Sequence, residues 1–298
     1  MRYKILPHTE IQPYIDQLHE IESSIHYPIE GGQDYFIIDH GPQYHPFFSE
    51  MGRNYFLLAF DKNMVVGTIA GIFKKVSNSK EMDKNDTGLY LAGLKLRKKY
   101  RGRGIPTRMV WHAFVRWPFV KEYQGWDFVY YVAMQGEQGD VNRSFSGLHL
   151  GQLVQPTAKI KLYFFPPEKL LKIPSNSIFP EKENGFFLSS PKYHPPNWNK
   201  NKKEFVLHST QKNWPLVHLP YLGGFSGKKC HQLTHEICQI NPDALCCYGI
   251  DSRNKESVAF LEQFCIQTNT EAIVYTLSFT GYNKYNTASW IHISTAEI

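Results

Sequence analysis

The stretch KKYRGRGIPTRMV, residues 98–110, decides the interpretation of this chain. Gly102 and Gly104 stand among basic residues, Pro106 follows, and an apolar pattern with helical spacing then begins. The strand-like run LYLAGLKL, residues 89–96, comes directly before it. A glycine loop that opens a helix attracts anions, because the first N–H groups of a helix have no intrahelical partners and carry about half a positive charge. The stretch therefore predicts a phosphate site, although a solvated basic turn is the plainer alternative.

Two common phosphate-binding motifs do not fit this chain. A P-loop requires G-x-x-x-x-G-K-[ST], which neither this loop nor the second glycine-rich stretch, GGFSGKK at residues 223–229, contains. A Rossmann fingerprint requires G-x-G-x-x-G, and GRGIPT has Thr107 at the third glycine position. P-loop and Rossmann nucleotide sites are therefore excluded.

Composition and charge set broader limits. The chain has 298 residues, enough for two domains, and a net charge of +6 that mildly favours anionic ligands. Acidic residues are spread along the whole chain, which makes nucleic acid an improbable partner. The N-terminus is too polar for a signal peptide, and no apolar run approaches the roughly 20 residues needed to span a membrane. We therefore expect a cytoplasmic protein without a membrane partner, and the oligomeric state stays open.

The five cysteines all lie in the C-terminal half and form no C-x-x-C pair. An odd number without a framework indicates reduced, mostly buried thiols and no zinc site. His231, His235 and Cys238 share one helical face and could bind a metal, but such residues more often belong to a packed face. The expectation is therefore no metal.

Apolar periodicity predicts alternating strands and helices in the first half. The predicted elements are a strand at residues 2–6, a helix at 9–25, a hairpin of strands 54–60 and 64–73, a polar loop at 77–88, a strand at 89–96, a helix from Ile105, a strand at 127–134, a short helix at 141–151 and a strand at 159–165.

Composition divides the chain into three segments: residues 1–165, a proline-rich connection at 166–203, and residues 204–298. The last segment repeats the order strand, glycine loop, helix, strand, helix and strand, with Ser226 predicted to cap its first helix. We interpret it as a degenerate second copy of the first half.

The six residues RGRGIP, 101–106, resemble the pyrophosphate-binding motif Q/R-x-x-G-x-G/A of the GNAT superfamily of acyl-CoA N-acyltransferases, with Arg101, Gly104 and Pro106 at the defined positions. The element order of residues 1–165 resembles the whole GNAT domain. The resemblance implies an α/β fold with a mixed, splayed β-sheet flanked by helices, followed by a second, smaller GNAT-like half. Pro106 departs from the motif's Gly or Ala and removes one N–H donor.

The resemblance also implies acetyl-CoA as co-substrate. Arg97, Lys98 and Lys99 are candidates for its 3′-phosphate, with a solvated turn as the alternative. The implied cofactor-binding residues are Leu94, Lys95 and Leu96 for the pantetheine arm, Arg101, Gly102, Arg103, Gly104, Ile105, Pro106 and Thr107 for the pyrophosphate, and Asn142, which matches the family's asparagine at the start of the next helix.

Acyl transfer to an amine requires a neutral amine, a polarised thioester oxygen and a proton for the departing thiolate. His149 stands seven residues after Asn142, where the family often has a tyrosine acid, and is the candidate catalytic acid. An ordinary, partly buried histidine is the alternative. No general base is visible, and a water relay to Tyr90 or to a C-terminal residue stays open.

The resulting hypothesis is N-acetyl transfer from acetyl-CoA to a primary amine by direct transfer in a ternary complex. The alternative is a non-catalytic acyl-CoA sensor or interaction module with the same fold, and a nucleic-acid binder is a weaker third hypothesis. The acceptor amine is not predicted.

Overall fold

The computed structural model describes most of the chain. The described residues are 1–29, 34–79, 81–136, 139–140, 154–179, 184–190, 204–213, 215–223, 226–264, 266, 268, 270–277, 285 and 288–298. Among them, no helix has the length and apolar character needed to cross a membrane.

Strands dominate the described part of the chain. The strands are β1 Arg2–Pro7, β2 Tyr27–Ile29, β3 Asp34–Asp39, β4 Arg53–Asp61, β5 Met64–Asn78, β6 Glu81–Leu96, β7 Phe128–Gly136, β8 Gly139–Asp140, β9 Val154–Phe165, β10 Gly185–Phe187, β11 Glu204–Leu207, β12 Leu216–His218, β13 Leu245–Asp251, β14 Thr270–Leu277 and β15 Trp290–His292. The helices are α1 Ile15–Ser23, α2 Pro46–Met51, α3 Ile105–Phe114, α4 Gly227–Ile240 and α5 Lys255–Gln263.

One large sheet runs through the molecule in the order β1-β4-β5-β6-β7-β14-β9-β13-β12. Its pairs are antiparallel except β6 with β7 and β12 with β13, and β10 with β15 at its margin. A separate small sheet has the order β11-β3-β2. The mixed α/β architecture predicted from the sequence is confirmed.

The two halves of the chain share this sheet. Strand β14 comes from the C-terminal half, yet it pairs along its length with β7 on one side and β9 on the other. The predicted segments 1–165, 166–203 and 204–298 stay a prediction, and the hydrogen-bonded sheet crosses their boundaries. Residues of the proline-rich segment join it as well, because β10 pairs with β5 and β15.

Helices cover both faces of the sheet. Side chains of β4 point alternately to the two faces. Phe56, Leu58 and Phe60 pack on the face covered by α1 and α2, and Leu57 and Ala59 pack on the face covered by α3. Each face is apolar, since a strand covered on both sides needs two buried faces. Each fully buried large side chain contributes about 1.5–3 kcal/mol. A third apolar cluster lies between α4, α5 and the strands β9 and β13.

Two predicted boundaries are wrong. The helix predicted at residues 9–25 begins only at Ile15, because short 3-10 turns at His8–Glu10 and Gln12–Tyr14 precede it and Pro13 lies in the second turn. The polar loop predicted at 77–88 is mostly strand. Strands β5 and β6 stay paired to Asn78 and Glu81, and β10 occupies the other edge of β5 at Ser77. Pairing within the β5–β6 hairpin, supported at Ser77 and Asn78 by β10, thus overrides the polar composition.

Candidate active site

The basic loop has the shape of an anion site. Gly102 and Gly104 have φ values of +72° and +64°, and Gly104 is the N-cap of α3. Glycine suits this left-handed conformation because it has no Cβ. A Cβ built on either residue meets no atom within 4 Å, so the space above the loop is open. Successive main-chain N–H groups in such a turn form a concave surface for phosphate.

Neighbouring strands hold the loop in place. The Tyr100 hydroxyl donates to Asp61 Oδ2 at 2.7 Å, and this bond raises the pKa of the tyrosine. The Arg97 amide donates to the carbonyl oxygen of Val66 at 2.9 Å, which ties the end of β6 to β5. These hydrogen bonds hold the residues on the N-terminal side of the exposed glycines in place.

Basic side chains around the loop divide into two groups. The Arg97 side chain already binds other residues: its guanidinium lies 2.6 Å from the Glu20 carboxylate, and its Nε donates to the Val65 carbonyl oxygen at 2.8 Å. Arg101 and Arg103 are exposed, and within the described residues neither forms an ion pair. These two guanidiniums give the loop a positive potential that favours a phosphate ligand.

The first turn of α3 supplies further donors. Pro106 is buried within it and contributes no N–H. The Thr107 hydroxyl is buried and has no hydrogen-bond partner among the described residues. A buried hydroxyl without a partner costs about 1–3 kcal/mol, so a ligand oxygen at this turn would relieve that cost.

Strands β6 and β7 separate directly beside this loop. They pair in parallel only from Gly88 to Leu91 on β6 and from Phe128 to Tyr131 on β7. Beyond these pairs β6 continues to Leu96 without a described strand on that edge. Burial changes at the same point, because β7 is buried through Tyr131 and half-buried from Val132 to Met134. We name the space between residues 92–96 and 132–136 the cleft.

A β-bulge shapes the β6 wall of the cleft. Between the pairs Thr68–Lys95 and Ala70–Ala92, β6 has one residue more than β5. Gly93 lies in this bulge with a φ of +59°. A bulge turns main-chain N–H and C=O groups away from the ladder, and bulges are common beside active sites. An isolated glycine within a strand pattern is the sequence signal for this feature.

A buried charged cluster lies behind the same strand, on the α1 side. Glu22 Oε1 accepts hydrogen bonds from Lys95 Nζ and from His40 Nδ1, the latter at 2.5 Å. The side chains of Glu22 and Lys95 are each 3% exposed. The His40 ring stacks on Phe48 at 4.8 Å, and a Cβ built on Gly93 would lie 3.5 Å from the Phe48 ring. The Lys95 side chain therefore points into the interior and binds Glu22. Only the main chain of Lys95 lies at the edge of the cleft.

The C-terminus packs against the base of the cleft. Tyr90 donates its hydroxyl hydrogen to the carbonyl oxygen of Glu297, and burial raises its pKa. The Glu297 carboxylate binds Lys74 and accepts a hydrogen bond from Ser189 at 2.6 Å. Tyr90 and the C-terminal segment are thus in contact. The sequence left both open as the end of a water relay. As a hydrogen-bond donor with a raised pKa, Tyr90 is a poor general base.

Several predicted residues do not enter this geometry. Asn142 and His149 lie outside the described residues. His231 Nε2 is 2.7 Å from the carbonyl oxygen of Ile173, and Cys238 contacts Glu168, so both are engaged by neighbours in the fold. Ser226 caps α4 as predicted, accepting from the Lys229 amide at 3.4 Å.

Among the described residues, one trio of side chains, His19, Glu22 and Asp39, offers ligand atoms within 4.8 Å of one another. The Glu22 carboxylate already binds Lys95 and His40, so the trio is poorly suited to an ion.

Three residues of the site region, Glu22, His40 and Glu297, have no signal in the sequence. Glu22 and His40 are 18 positions apart in the sequence. Lys95 follows Glu22 by 73 positions and His40 by 55, so no local pattern connects the three residues. Glu297 reaches the cleft base through contacts with Tyr90, Lys74 and Ser189, all more than 100 positions away in the sequence. Gly93 was not predicted either, although an isolated glycine within a strand pattern is a signal for a bulge.

Comparison with known proteins supports the fold. The structure resembles the tandem GNAT protein from the clavulanic acid biosynthesis pathway, with a TM-score of 0.56 and 8% identity, covering 92% of this chain and 98% of that chain. It also resembles Saccharomyces cerevisiae N-myristoyltransferase with bound myristoyl-CoA, with a TM-score of 0.52 and 9% identity, covering 92% and 82%. No family model matches the sequence, and no curated protein matches it significantly. At these identities the likeness concerns the fold alone.

Proposed function

Because the chain has the GNAT fold, we propose that it is an acyltransferase that moves an acetyl group from acetyl-CoA to a primary amine. One observation carries the proposal: β6 leaves β7 after Leu91 and runs on to Leu96, and an open, positively charged glycine loop follows it at the start of α3. A diphosphate and a thioester can therefore occupy adjacent places along one strand.

The loop would bind the cofactor's diphosphate. Main-chain N–H groups from Gly102 to Thr107, with Pro106 excepted, would be the donors, since the Arg101 N–H already donates to the Lys98 carbonyl oxygen. The exposed guanidiniums of Arg101 and Arg103 would add charge. The pantetheine arm would then follow β6 along Leu94, Lys95 and Leu96, beyond the last residue of β6 that pairs with β7. The thioester would thus reach the bulge at Gly93.

Transfer at the bulge would be direct. The amine nitrogen attacks the thioester carbonyl carbon, the C–N bond forms, the C–S bond breaks, and the amine loses a proton while the thiolate gains one. A main-chain N–H at the bulge would stabilise the oxygen that develops negative charge. His149 stays the proposed acid for the thiolate, and Asn142 its companion at the helix start. The non-catalytic sensor is the competing proposal.

The test is release of free thiol from acetyl-CoA across a panel of amines: polyamines, amino acids, a peptide N-terminus and lysine. We expect release with at least one amine, and a KM for acetyl-CoA at least tenfold higher in Gly104→Ala, whose added methyl enters the open space above the loop. Gly125→Ala is the matched control, because Gly125 also has a positive φ, +86°, and open space but lies before β7.

Three results are distinguishable. CoA binding without thiol release for any amine would favour the sensor. Equal KM values for acetyl-CoA in Gly104→Ala and Gly125→Ala would mean that the loop does not bind the cofactor. Absence of any CoA binding to the folded protein would end both proposals.

A further inference from the structure

Three large apolar side chains are exposed close together at the end of α3. Trp111 is 59% exposed, Val115 is 40% exposed and Phe119, in the turn that follows, is 86% exposed. The Val115 amide donates to the Trp111 carbonyl oxygen at 3.0 Å, so these two residues lie one helical turn apart on the same face. The described residues include only eight exposed large hydrophobic side chains, and three of them fall within these nine positions. We name Trp111, Val115 and Phe119 the apolar patch.

Aromatic rings connect the helix end to the turn. The Phe114 ring centroid lies 5.5 Å from that of Trp111 and 6.4 Å from that of Trp117, the first residue of the turn that contains Phe119. The Phe119 amide donates to the Arg116 carbonyl oxygen at 3.0 Å, which fixes this turn. The apolar patch is therefore part of one connected surface, and a surface of this kind marks an interaction site for a protein or a membrane.

The positive charge of the chain is concentrated around the same patch. Residues 97–126 contain eight Lys or Arg residues and a single acidic residue, Glu122, whereas the rest of the chain has a net charge of −1. Arg108, Arg116 and Lys121 are exposed beside the patch in the sequence. Within the part of the chain that the structure describes, none of these three forms an ion pair. The patch thus combines exposed apolar side chains with unneutralised cations.

We infer that the apolar patch and its basic neighbours bind the surface of a membrane that contains anionic phospholipids. Anionic headgroups attract Lys and Arg, while Trp and Phe enter the boundary between headgroups and acyl chains. The expectation of no membrane partner came from the lack of an apolar run of spanning length, and binding to a membrane surface does not require one.

Two other occupants fit these observations less well. A symmetric dimer through this patch would bring two strongly positive segments together, and like charges across an interface are costly. A nucleic acid would neutralise the basic side chains, but its phosphate backbone offers no apolar environment for Val115 or for the 86% exposed Phe119. An anionic bilayer accounts for both the charge and the apolar surface.

The first test is co-sedimentation of the full chain with lipid vesicles at about 0.1 M salt. One vesicle type is phosphatidylcholine alone, and the other contains about 30% phosphatidylserine. Each basic side chain near an anionic surface strengthens binding about fivefold, so the anionic vesicles should bind the protein at least tenfold more tightly, and less so as salt is raised. Equal binding to the two vesicle types, or binding to neither, would overturn the inference.

Variants of the apolar side chains locate the binding surface. Trp111→Ser/Phe119→Ser alters two exposed positions and should fold normally, yet bind anionic vesicles at least tenfold more weakly. Ile178→Ser/Ile240→Ser is the matched control, because these residues are 70% and 54% exposed but lie outside the basic segment. Unchanged binding in the first variant, or an equal loss in the control, would contradict the inference.

Variants of the charges test the electrostatic part. Arg116→Gln/Lys121→Gln should weaken binding to the anionic vesicles about 25-fold, at about fivefold for each charge removed. Lys172→Gln/Lys228→Gln removes two exposed charges elsewhere and should change it far less. Equal effects of the two variants would show that net charge alone, and not this surface, determines binding.

The other occupants give different results. A wild-type dimer in sedimentation velocity that Trp111→Ser/Phe119→Ser converts to a monomer would assign the patch to a second copy of the chain and overturn the inference. Tighter binding to DNA than to anionic vesicles at the same salt would overturn it as well. None of the substituted residues belongs to the glycine loop or the cleft, and vesicle binding is measured without CoA. Failure of this inference therefore leaves the proposed acyl transfer untouched, and failure of the proposed acyl transfer leaves this inference standing.

Discussion

Replacing Glu22 by glutamine should destabilise the protein severely. The substitution preserves shape but leaves the Lys95 ammonium, 3% exposed, without its carboxylate, and weakens the bond to His40. Breaking a buried ion pair by removing one partner costs about 3–5 kcal/mol. At about 2 °C per kcal/mol for a chain of this size, the thermal midpoint should fall by about 6–10 °C.

Differential scanning calorimetry at neutral pH measures this change. Glu20→Gln is the matched control on the same helix, since Glu20 is exposed, its pair with Arg97 is at the surface, and such pairs contribute little. The double variant Glu22→Gln/Lys95→Met removes both charges and should recover part of the loss, with a coupling of about 0.5–3 kcal/mol. If Glu22→Gln lowers the midpoint no more than Glu20→Gln, the cluster does not stabilise the fold as described.

Three further predictions concern single residues. Burial lowers the pKa of His292 to about 3. At a pH between this value and the ordinary histidine pKa, the unfolded chain therefore binds a proton that the folded chain does not bind. The free energy of unfolding keeps its full value above the ordinary histidine pKa and decreases as the pH falls toward 3. Between pH 7 and pH 5 urea melts should show the wild type losing about 2 kcal/mol more than His292→Phe, and parallel losses would refute this. Thr107→Val should leave stability unchanged or raise it by about 1 kcal/mol, yet weaken CoA binding about tenfold by calorimetry; unchanged affinity would exclude the hydroxyl from the site. Gly93→Ala should cost about 1–2 kcal/mol in the same melts because of its positive φ, whereas no cost would argue against the bulge geometry.

Local features of the fold were predictable from sequence. Continuous apolar runs identified β4, β5 and β7, and the glycines at 102 and 104 marked the turn into α3. These signals depend on neighbours within a few residues, where periodicity and turn chemistry act. The first turn of α3 also begins at Ile105 as the apolar pattern predicted.

Contacts between distant segments were not predictable. The place of β14 between β7 and β9 depends on pairing between residues more than 100 positions apart. The Glu22–Lys95 pair and the contact of Tyr90 with Glu297 arise in the same way. In a single sequence, nothing ties such residues together, since hydrogen bonds and ion pairs of this kind have no periodic signature.

The most direct test of the account is a crystal structure of the full chain with CoA bound. The account predicts diphosphate oxygens about 2.7–3.2 Å from main-chain N–H groups between residues 101 and 107, and the sulfur beside Gly93 within the cleft. CoA bound elsewhere, with the loop empty and β6 untouched, would contradict it.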